Sequence, residues 1–258
     1  MVHTVAVIPA HNEAPTIRDI VVATRRLVDA VIVIDDGSGD GTSDALSDLD
    51  THIIRHDRNE GKGRCLVEGL DAAFAKGADQ VVTLDADGQH DPMDIPAFLA
   101  RARAFPDAIV LGDRSDDFRN MPATRVLGNG LGSFFVGWAC ARKLRDAQCG
   151  MRLYPRQAWR AVDVPPRDVS GFLFETAVLL HAAEADIAFA TLSIAARYDG
   201  YVHRPSHFRP VGDLLKIAGM VTRFLFSRRL QPRGLFVALG LTMDSRTQNQ
   251  EKVETCQN

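Results

Sequence analysis

The chain has 258 residues, of which 46% are hydrophobic and 24% charged, and its formal net charge is −3 at pH 7. These values predict one large soluble domain, or such a domain with an appendage, and the charge argues against a general nucleic-acid binder. The spacing of the four cysteines matches no zinc motif, so we expect reduced thiols in a cytoplasmic protein. They are Cys65, Cys140, Cys149 and Cys256.

The sequence gives no sign of a targeting or membrane-spanning segment. The N-terminus, MVHTVAVIPAHNE, lacks the basic region and long apolar run of a signal peptide. The nearest candidate for a span, LFVALGL at Leu235–Leu241, is shorter than the roughly 18 apolar residues that a spanning helix needs. We therefore expect the protein on the cytoplasmic side.

Apolar, β-branched runs alternate with segments of helical spacing through the first half of the chain. The predicted strands are TVAVIPA, AVIVIDDGS, HIIRH, DQVVTLDAD and AIVLGDR, and the predicted helices are Thr16–Leu27, Thr42–Leu49, Gly63–Lys76 and Asp94–Ala104. This order predicts an α/β fold with an open, mostly parallel sheet and helices on both faces. Ligands of such sheets bind outside the carboxyl ends of the strands, where the polar clusters of this chain lie.

The second half is less regular. Helices are predicted over Arg125–Ala141 and Glu175–Ala185, and DIAFATLSIAARY predicts one or two strands. The chain becomes helical and basic from Gly212, and its last 17 residues are polar and expected to be disordered. The predicted organisation is a main domain over 1–210, an amphipathic basic helix with a short apolar segment over 211–241, and a polar tail over 242–258.

The stretch VVTLDADGQHDP ends a predicted buried strand with a cluster of acidic residues. Asp85 and Asp87 reach one point at the strand end, where two carboxylates repel unless a cation or a shared proton intervenes. Hard oxygen ligands favour Mg²⁺ or Mn²⁺, with Gln89 as a further oxygen donor and His90 or Asp91 as support. The alternative is a solvated turn, because Asp-Gly and Asp-Pro are ordinary turn sequences.

A second acidic turn, IDDGSGDGT, follows the second predicted strand. Asp35 or Asp36 could accept hydrogen bonds from a base or a ribose, and the glycines let a ligand approach the backbone closely. The turn matches neither a P-loop nor a dinucleotide fingerprint. Taken alone, it is as compatible with a structural turn.

Four motifs occur in a characteristic order: PAHNE, DDGSGDGT, RNEGKGRCLVEGL and DADGQHDP. This set resembles the family-2 glycosyltransferases with the GT-A nucleotide-diphospho-sugar transferase fold, over roughly residues 3–210. The DGQHDP extension, Arg114 and DAQCGMRLY are similar in particular to dolichyl- or polyprenyl-phosphate sugar synthases.

The resemblance implies roles for several residues. Asp85, Asp87 and Gln89 would hold Mg²⁺ or Mn²⁺, with Ala86 beside the donor. The nucleoside pocket would be lined by Pro9, Ala10, Asn12, Glu13 and Asp36. Glu13 could instead be a solvated neighbour of a helix start. The segment from Arg58 to Lys62 remains open between an anion contact and a structural turn.

The resemblance also implies an acceptor phosphate bound by Arg114 and Arg125. The alternative is that these arginines pair with Asp113, Asp116 or Asp117. A phosphate oxygen needs no general base, whereas a hydroxyl acceptor normally needs one. The expected reaction is in-line attack on the anomeric carbon with inversion, the ion stabilising the leaving nucleoside diphosphate. Asp146 and Glu175 are the base candidates for a hydroxyl acceptor, or structural residues.

The loop RYDGYVHRPSHFRP departs from the family pattern. Arg197 is retained, while SHFR stands where the family has a serine-lysine pair. His207 and Arg209 could still reach the donor diphosphate. The alternative is a loop that docks on the domain.

The helix that follows is amphipathic. Its apolar side carries Ile217, Val221 and Leu225, with Leu214 and Ala218, and Lys216 and Arg223 lie opposite. Such a helix could lie on the cytoplasmic face of an anionic membrane, where a polyprenyl acceptor would be found, or pack on the domain with a solvated basic side. LFVALGL suggests a possible membrane-protein partner.

Three functions remain open on the sequence. The leading hypothesis is transfer of a sugar from a nucleotide-sugar donor to a lipid phosphate. The second is transfer to a hydroxyl of a glycan or glycolipid. The third is a non-catalytic regulator, since IDDGS and TLDAD faintly resemble the Mg²⁺ pocket of receiver domains.

Overall fold

Seven strands form one sheet in the part of the chain that the structure describes. The structure is a computed structural model covering residues 2–116, 123–171, 173–195, 210–228 and 230–242, the side chains of residues 123–127 and 210–214 excepted. The strands are β1 (Thr4–Ala10), β2 (Ala30–Asp35), β3 (His52–Arg55), β4 (Gln80–Thr83), β5 (Ile109–Asp113), β6 (Arg152–Pro155) and β7 (Phe189–Ser193). Their order is β3-β2-β1-β4-β6-β5-β7, and neighbours are parallel except where β6 takes part.

Helices cover both faces of this sheet. They are α1 (Ile17–Thr24), α2 (Lys62–Ala75), α3 (Ile95–Ala104), α4 (Ala123–Cys140), α5 (Arg156–Ala161), α6 (Leu173–Glu184), α7 (Pro210–Ser227) and α8 (Pro232–Ala238). Successive strand residues point to opposite faces, so each face of β1 carries its own apolar residues. Val5 and Val7 pack in one core with α2 and α6, whereas Ala6 and Ile8 pack in the other with α1 and α3. The predicted α/β architecture is confirmed.

Strand β6, which the sequence pattern does not predict, runs antiparallel between β4 and β5. The run RLYP has four residues and ends at a proline, which is too short for alternation to show. Arg152 pairs with Thr83 at the carboxyl end of β4. The segment before β6, from Asp146 to Gly150, therefore lies at the edge that carries the acidic motif.

One of the predicted elements differs from the structure. The helix expected over Thr42–Leu49 is wrong, because only Asp44–Leu46 forms a 3-10 turn. Ser43 donates to Asp35 and Thr42 to Asp40, so these hydroxyls bind loop carboxylates in place of a regular helix. DIAFATLSIAARY, predicted to form one or two strands, contains β7, and its last three residues lie outside the described part of the chain.

The cysteines agree with the expectation where the structure describes them. Cys65, Cys140 and Cys149 are buried and free, and Cys256 lies outside the described residues.

Helix α7 packs its apolar side against the protein. Ile217, Val221 and Leu225 are buried in the core that also contains residues of α4 and α6. This side is therefore not free to contact a membrane. The interpretation of α7 as a helix whose apolar side lies on a membrane is thus wrong, and its packing on the domain is favoured. Among the described residues, no helix is long and apolar enough to cross a membrane.

Candidate functional site

The loops that follow β1, β2 and β4 are bonded to one another at the carboxyl edge of the sheet. The Asp36 N–H donates to Ala10 O at 2.8 Å, and His11 Nδ1 lies 2.7 Å from Asp36 O. Thr16 Oγ1 donates to Ala86 O at 2.6 Å, which ties the first loop to the acidic loop after β4. The polar clusters predicted to meet at this edge do meet there.

Four of the residues expected to line a nucleoside pocket lie at the end of β1 and in the loop that follows it. Pro9 and Ala10 end β1, beside the last residues of β2. Asn12 has φ 58°, a left-handed conformation that asparagine tolerates, and its side-chain oxygen accepts from the Gly39 N–H at 2.9 Å. Glu13 follows and is half-buried. The four residues are thus brought together, and their contact with a nucleoside stays a prediction.

Asp36 holds the beginning of α2. Its carboxylate accepts from the backbone N–H groups of Glu60 at 2.7 Å and Gly61 at 2.8 Å, and lies 2.8 Å from His56 Nδ1. The residue is 3% exposed. These bonds satisfy N–H groups at the entrance of a helix, which have no acceptor within it. A direct contact of Asp36 with a nucleoside stays a prediction.

Asp85, Asp87 and Gln89 lie half-buried in the acidic loop after β4. The Gln89 N–H donates to Asp87 Oδ1 at 3.0 Å, which shapes the turn. Burial and the neighbouring charge of Asp85 raise the pKa of Asp87 to about 6. The two carboxylates therefore share one region and repel each other, as the sequence predicted.

Lys62, which the sequence pattern does not assign to the site, pairs with this acidic loop. Its Nζ lies 2.7 Å from Asp85 Oδ1 and 2.9 Å from Glu175 Oε1. Burial alone would raise the pKa of Asp85, but the Lys62 charge outweighs it and holds that pKa at about 2. The signal in the sequence was the lysine of EGKGR, at the start of α2; its partner on α6 is distant along the chain.

His90 supports the acidic loop from inside the protein. It is 2% exposed, and its Nδ1 accepts from the Asp85 N–H at 3.2 Å. Burial lowers its pKa to about 4, so the ring is neutral. Asp91 accepts from the Met93 N–H at 2.9 Å and caps a 3-10 turn. Both residues therefore position the loop, the role the sequence suggested.

Arg114 lies at the end of β5 and binds Asp146. Its Nε donates to Asp146 Oδ2 at 2.7 Å and its Nη2 to Oδ1 at 3.1 Å. Asn129 of α4 donates to the same carboxylate at 3.1 Å. These bonds hold the pKa of Asp146 below its usual range, although burial acts against them. Of the carboxylates named in the alternative pairing, Asp113 and Asp116 lie beside Arg145, and Asp117 lies outside the described residues.

Four predicted site residues cannot be placed by their side chains. Arg125 belongs to α4, but its side chain is outside the described part of the structure. Arg197, His207 and Arg209 lie outside the described residues altogether. Their roles stay predictions.

A second group of ligand-type side chains lies beneath the start of α2. Asp36, His56 and Cys65 each offer one ligand atom, and these three atoms lie within 4.8 Å of one another. His56 Nδ1 faces Asp36 and its Nε2 lies 2.8 Å from Glu68, and these carboxylates raise its pKa although burial opposes the charge. A metal-binding histidine needs a nitrogen without a proton. The group is therefore better explained as an ion-pair network.

The acidic loop, by contrast, has a donor set that suits a divalent cation. Asp85 and Asp87 offer carboxylate oxygens and Gln89 an amide oxygen, the ligand types that Mg²⁺ and Mn²⁺ prefer. The raised pKa of Asp87 reflects burial and a repulsion that a bound cation would relieve. These residues therefore fit the predicted ion.

Comparison with known proteins gives a family and two curated relatives. The family model for glycosyl transferase family 2 matches residues 5–161. A UDP-N-acetylglucosamine–dolichyl-phosphate N-acetylglucosaminyltransferase from Methanococcus voltae is 32% identical over 178 residues, 60% of this chain and 70% of the relative. An undecaprenyl-phosphate mannosyltransferase from Micrococcus luteus is 28% identical over 257 residues, 91% of this chain and 98% of the relative.

A solved structure shares the architecture. Glucosyl-3-phosphoglycerate synthase from Mycobacterium tuberculosis, in complex with Mn²⁺, uridine-diphosphate and phosphoglyceric acid, is similar with a TM-score of 0.62 and 21% identity. The match covers 88% of this chain and 78% of that one. At this identity the likeness concerns the fold.

Proposed function

Because the chain belongs to glycosyl transferase family 2, we propose that this glycosyltransferase moves a sugar from a nucleoside-diphosphate sugar to a polyprenyl phosphate, with inversion at the anomeric carbon and with Mg²⁺ or Mn²⁺. Its fold is the GT-A fold, as the motifs predicted. The names of the two curated relatives support the acceptor class, since both include a polyprenyl-type phosphate. The non-catalytic regulator is excluded by the family.

The observation that favours a phosphate acceptor is that each of the two base candidates is paired with a cation. Asp146 is bound by Arg114, and Glu175 lies 2.9 Å from Lys62 Nζ. Arg114 lowers the pKa of Asp146 and makes it a poor base, because the cation stabilises the ionised form, and the Glu175 carboxylate is already engaged by Lys62. A hydroxyl acceptor needs a base to become a nucleophile, whereas a phosphate oxygen is anionic already. The site is therefore better suited to a phosphate.

The roles of the chain's own residues follow from this chemistry. Asp85, Asp87 and Gln89 would hold the ion, and the residues from Pro9 to Glu13 would border the nucleoside. A bound ion supplies stabilisation of the negative charge on the departing nucleoside diphosphate. Arg114, oriented by Asp146, would bind the acceptor phosphate and direct one oxygen at the anomeric carbon. Arg125, Arg197, His207 and Arg209 are proposed as further phosphate contacts.

Exposed apolar side chains support docking on a membrane surface, where a polyprenyl phosphate resides. Of the ten large hydrophobic side chains that are exposed among the described residues, eight lie on α4 or between the start of α7 and the residues just after α8. They are Leu131, Phe135, Leu215, Phe226, Leu230, Phe236, Leu239 and Leu241. Arg228 and Arg233 lie in the same C-terminal part, which suits an anionic leaflet. The membrane-protein partner considered from the sequence gains no support from the relatives, and we do not propose one.

Two assays test the proposal in sequence. Thermal unfolding with UDP, GDP, CDP or dTDP, each with Mn²⁺, Mg²⁺ or EDTA, identifies the donor base, because a ligand at a hundredfold excess over Kd stabilises the fold by about 2.7 kcal/mol. We expect stabilisation by one diphosphate, lost with EDTA and in Asp87→Ala. If the diphosphate still stabilises the protein both with EDTA and in Asp87→Ala, the proposed ion site is wrong.

Transfer is then measured with the matching labelled nucleotide sugar. The acceptors are a polyprenyl phosphate and the same polyprenol without phosphate, in detergent. We expect a lipid-soluble product from the phosphate only, with the opposite anomeric configuration to the donor by NMR. Equal or better transfer to the alcohol would favour the second hypothesis, a hydroxyl acceptor.

A further inference from the structure

Lys62 places a permanent positive charge inside the proposed ion site. Its Nζ lies 2.7 Å from Asp85 Oδ1 and 2.9 Å from Glu175 Oε1. The side chain of Glu175 is 3% exposed and that of Lys62 19% exposed, so water screens the pair only partly. The ammonium is therefore a cation already installed next to a carboxylate that would hold the metal.

The protein fixes Lys62 in this position from several directions. Lys62 opens α2, and Asp36 binds the N–H groups of the two residues before it. The next residue, Gly63, lies so close to α6 and its preceding turn that a Cβ there would be 1.9 Å from Val169 O. A Cβ on Gly150 would lie 2.8 Å from Asp85 Oδ2 and 3.0 Å from Lys62 Nζ. The ion pair therefore has little room to rearrange.

We infer that Lys62 makes binding of the divalent ion depend on the nucleoside diphosphate. The ammonium cancels part of the negative charge that would attract a bare divalent cation, and it repels that cation directly. A complex of the cation with a nucleoside diphosphate carries net negative charge, and Lys62 attracts it. The bare ion is thus bound weakly and the ion with its nucleotide tightly, a coupling between two ligands of one site. The inference rests on the proposed roles of Asp85 and Asp87.

Mn²⁺ binding to the full chain tests the inference without any turnover. The free ion is measured by electron paramagnetic resonance, first with Mn²⁺ alone and then with the nucleoside diphosphate that stabilises the wild type. We expect Lys62→Met to bind Mn²⁺ alone about tenfold more tightly, since one nearby positive charge has gone. We expect it to bind Mn²⁺ with the nucleotide no more tightly than the wild type does. Lys76→Met, at the exposed far end of α2, is the matched control and should leave both affinities unchanged.

Glu175→Gln separates charge from damage to the fold. This variant removes a negative charge and leaves Lys62 in place, so Mn²⁺ alone should bind about tenfold more weakly. Opposite shifts in the two variants support the inference. Weaker or unchanged binding of Mn²⁺ alone by Lys62→Met overturns it, as does a shift of both variants in the same direction.

Mn²⁺ binding by the wild type distinguishes failure of the proposed ion site from failure of the inference about Lys62. If the wild type binds Mn²⁺ neither alone nor with any of the four nucleotides, the ion site itself is wrong and the inference falls with it. If the wild type binds Mn²⁺ with a nucleotide, but Lys62→Met does not bind the bare ion more tightly, only the inference fails.

Discussion

The guanidinium of Arg114 and the carboxylate of Asp146 form a two-point contact, with Nε–Oδ2 at 2.7 Å and Nη2–Oδ1 at 3.1 Å. The side chain of Asp146 is fully buried and that of Arg114 is 12% exposed. The planar guanidinium has five donors, so a fork held on one edge can still present donors to a second anion. Asp146 thereby fixes the orientation of the Arg114 guanidinium, which is proposed to bind the acceptor phosphate.

Asp146→Asn is expected to weaken acceptor binding more than chemistry. The amide has nearly the same shape but loses the charge that orients Arg114, so the KM for polyprenyl phosphate should rise about tenfold, the effect of losing one charge-assisted hydrogen bond. The Kd for the nucleoside diphosphate should not change. Steady-state kinetics and calorimetry measure the two constants. A large fall in kcat with an unchanged KM would instead assign Asp146 to the chemical step.

Arg114→Lys is the companion variant. Lysine keeps the charge but cannot make the two-point contact, so we expect the same rise in KM. An unaltered KM would mean that charge alone, without orientation, is what the acceptor requires.

Arg152 is a buried arginine that supports the segment carrying Asp146. It is 1% exposed and donates to three backbone carbonyls: Cys149 O at 2.9 Å, Glu175 O at 2.8 Å and Ala147 O at 2.8 Å. These bonds connect the segment before β6 with the start of α6. Arg152 thus links the neighbourhood of Asp146 to the helix that carries Glu175.

Arg152→Met should lower the free energy of unfolding by ~3 kcal/mol or more, because the buried carbonyls lose their donors. Arg160→Met, on the exposed side of α5, is the matched control and should change the free energy of unfolding by less than about 0.5 kcal/mol. Urea unfolding followed by circular dichroism gives both values. A loss below 1 kcal/mol would indicate that water replaces the guanidinium.

The sequence was sufficient to predict which loops meet, but not how their charges pair. Strand endings are local signals: an apolar run stops and polar residues begin, and the parallel sheet brings those ends to one edge. Pairing depends on contacts between distant segments, such as Lys62 with Glu175. No periodicity in either helix reveals such a partner, so the sequence alone decides neither the role of Lys62 nor whether Glu175 is a base or a structural residue.

Strand β6 shows a different limit. Its four residues pair with β4 and β5 only after α4 has returned the chain to the sheet. Tertiary context, more than its own pattern, makes RLYP a strand. The helix expected over Thr42–Leu49 fails for a related reason, since the loop carboxylates of Asp35 and Asp40 bind the hydroxyls at its start.

His56 is expected to make the free energy of unfolding depend on pH. Its ring joins Asp36 and Glu68, and the two carboxylates raise its pKa in the folded state despite burial. Below the unfolded value of about 6.5, both states carry the proton and the stabilisation is complete. As pH rises above that value toward the higher folded pKa, the folded state binds more protons, so the free energy of unfolding falls.

His56→Gln should remove this decline, because the amide does not titrate in this range. His52→Gln, at an exposed position on β3, is the control and should retain the wild-type slope. Urea unfolding at a series of pH values from slightly acidic to moderately alkaline measures the slope. An identical decline in wild type and His56→Gln would assign it to another group.

Gly63 is predicted to be intolerant of any side chain. An added Cβ would lie 1.9 Å from Val169 O and 2.9 Å from Phe174 Cβ, so the start of α2 would have to move away from α6. Gly63→Ala should therefore cost ~2 kcal/mol or more of folding free energy, as overpacking does, and weaken nucleotide binding by displacing Lys62. Gly128→Ala, with open space around its Cβ in α4, should be neutral or slightly stabilising. Thermal unfolding with and without nucleotide measures both effects, and equal behaviour of the two variants would refute the packing argument.

The exposed apolar residues of the C-terminal helices make the membrane proposal testable. Phe226 is 68% exposed and Phe236 48% exposed, so replacing them should cost little folding free energy. Inserting one such ring into the lipid interface contributes on the order of 1 kcal/mol, so Phe226→Ser with Phe236→Ser should weaken binding to anionic vesicles about tenfold or more. Met93→Ser is the matched control, because Met93 is 65% exposed and lies next to α3. Sedimentation with phosphatidylglycerol vesicles gives the partition coefficients. Unchanged partitioning of the double variant, or an equal loss in Met93→Ser, would show that this surface does not dock on lipid.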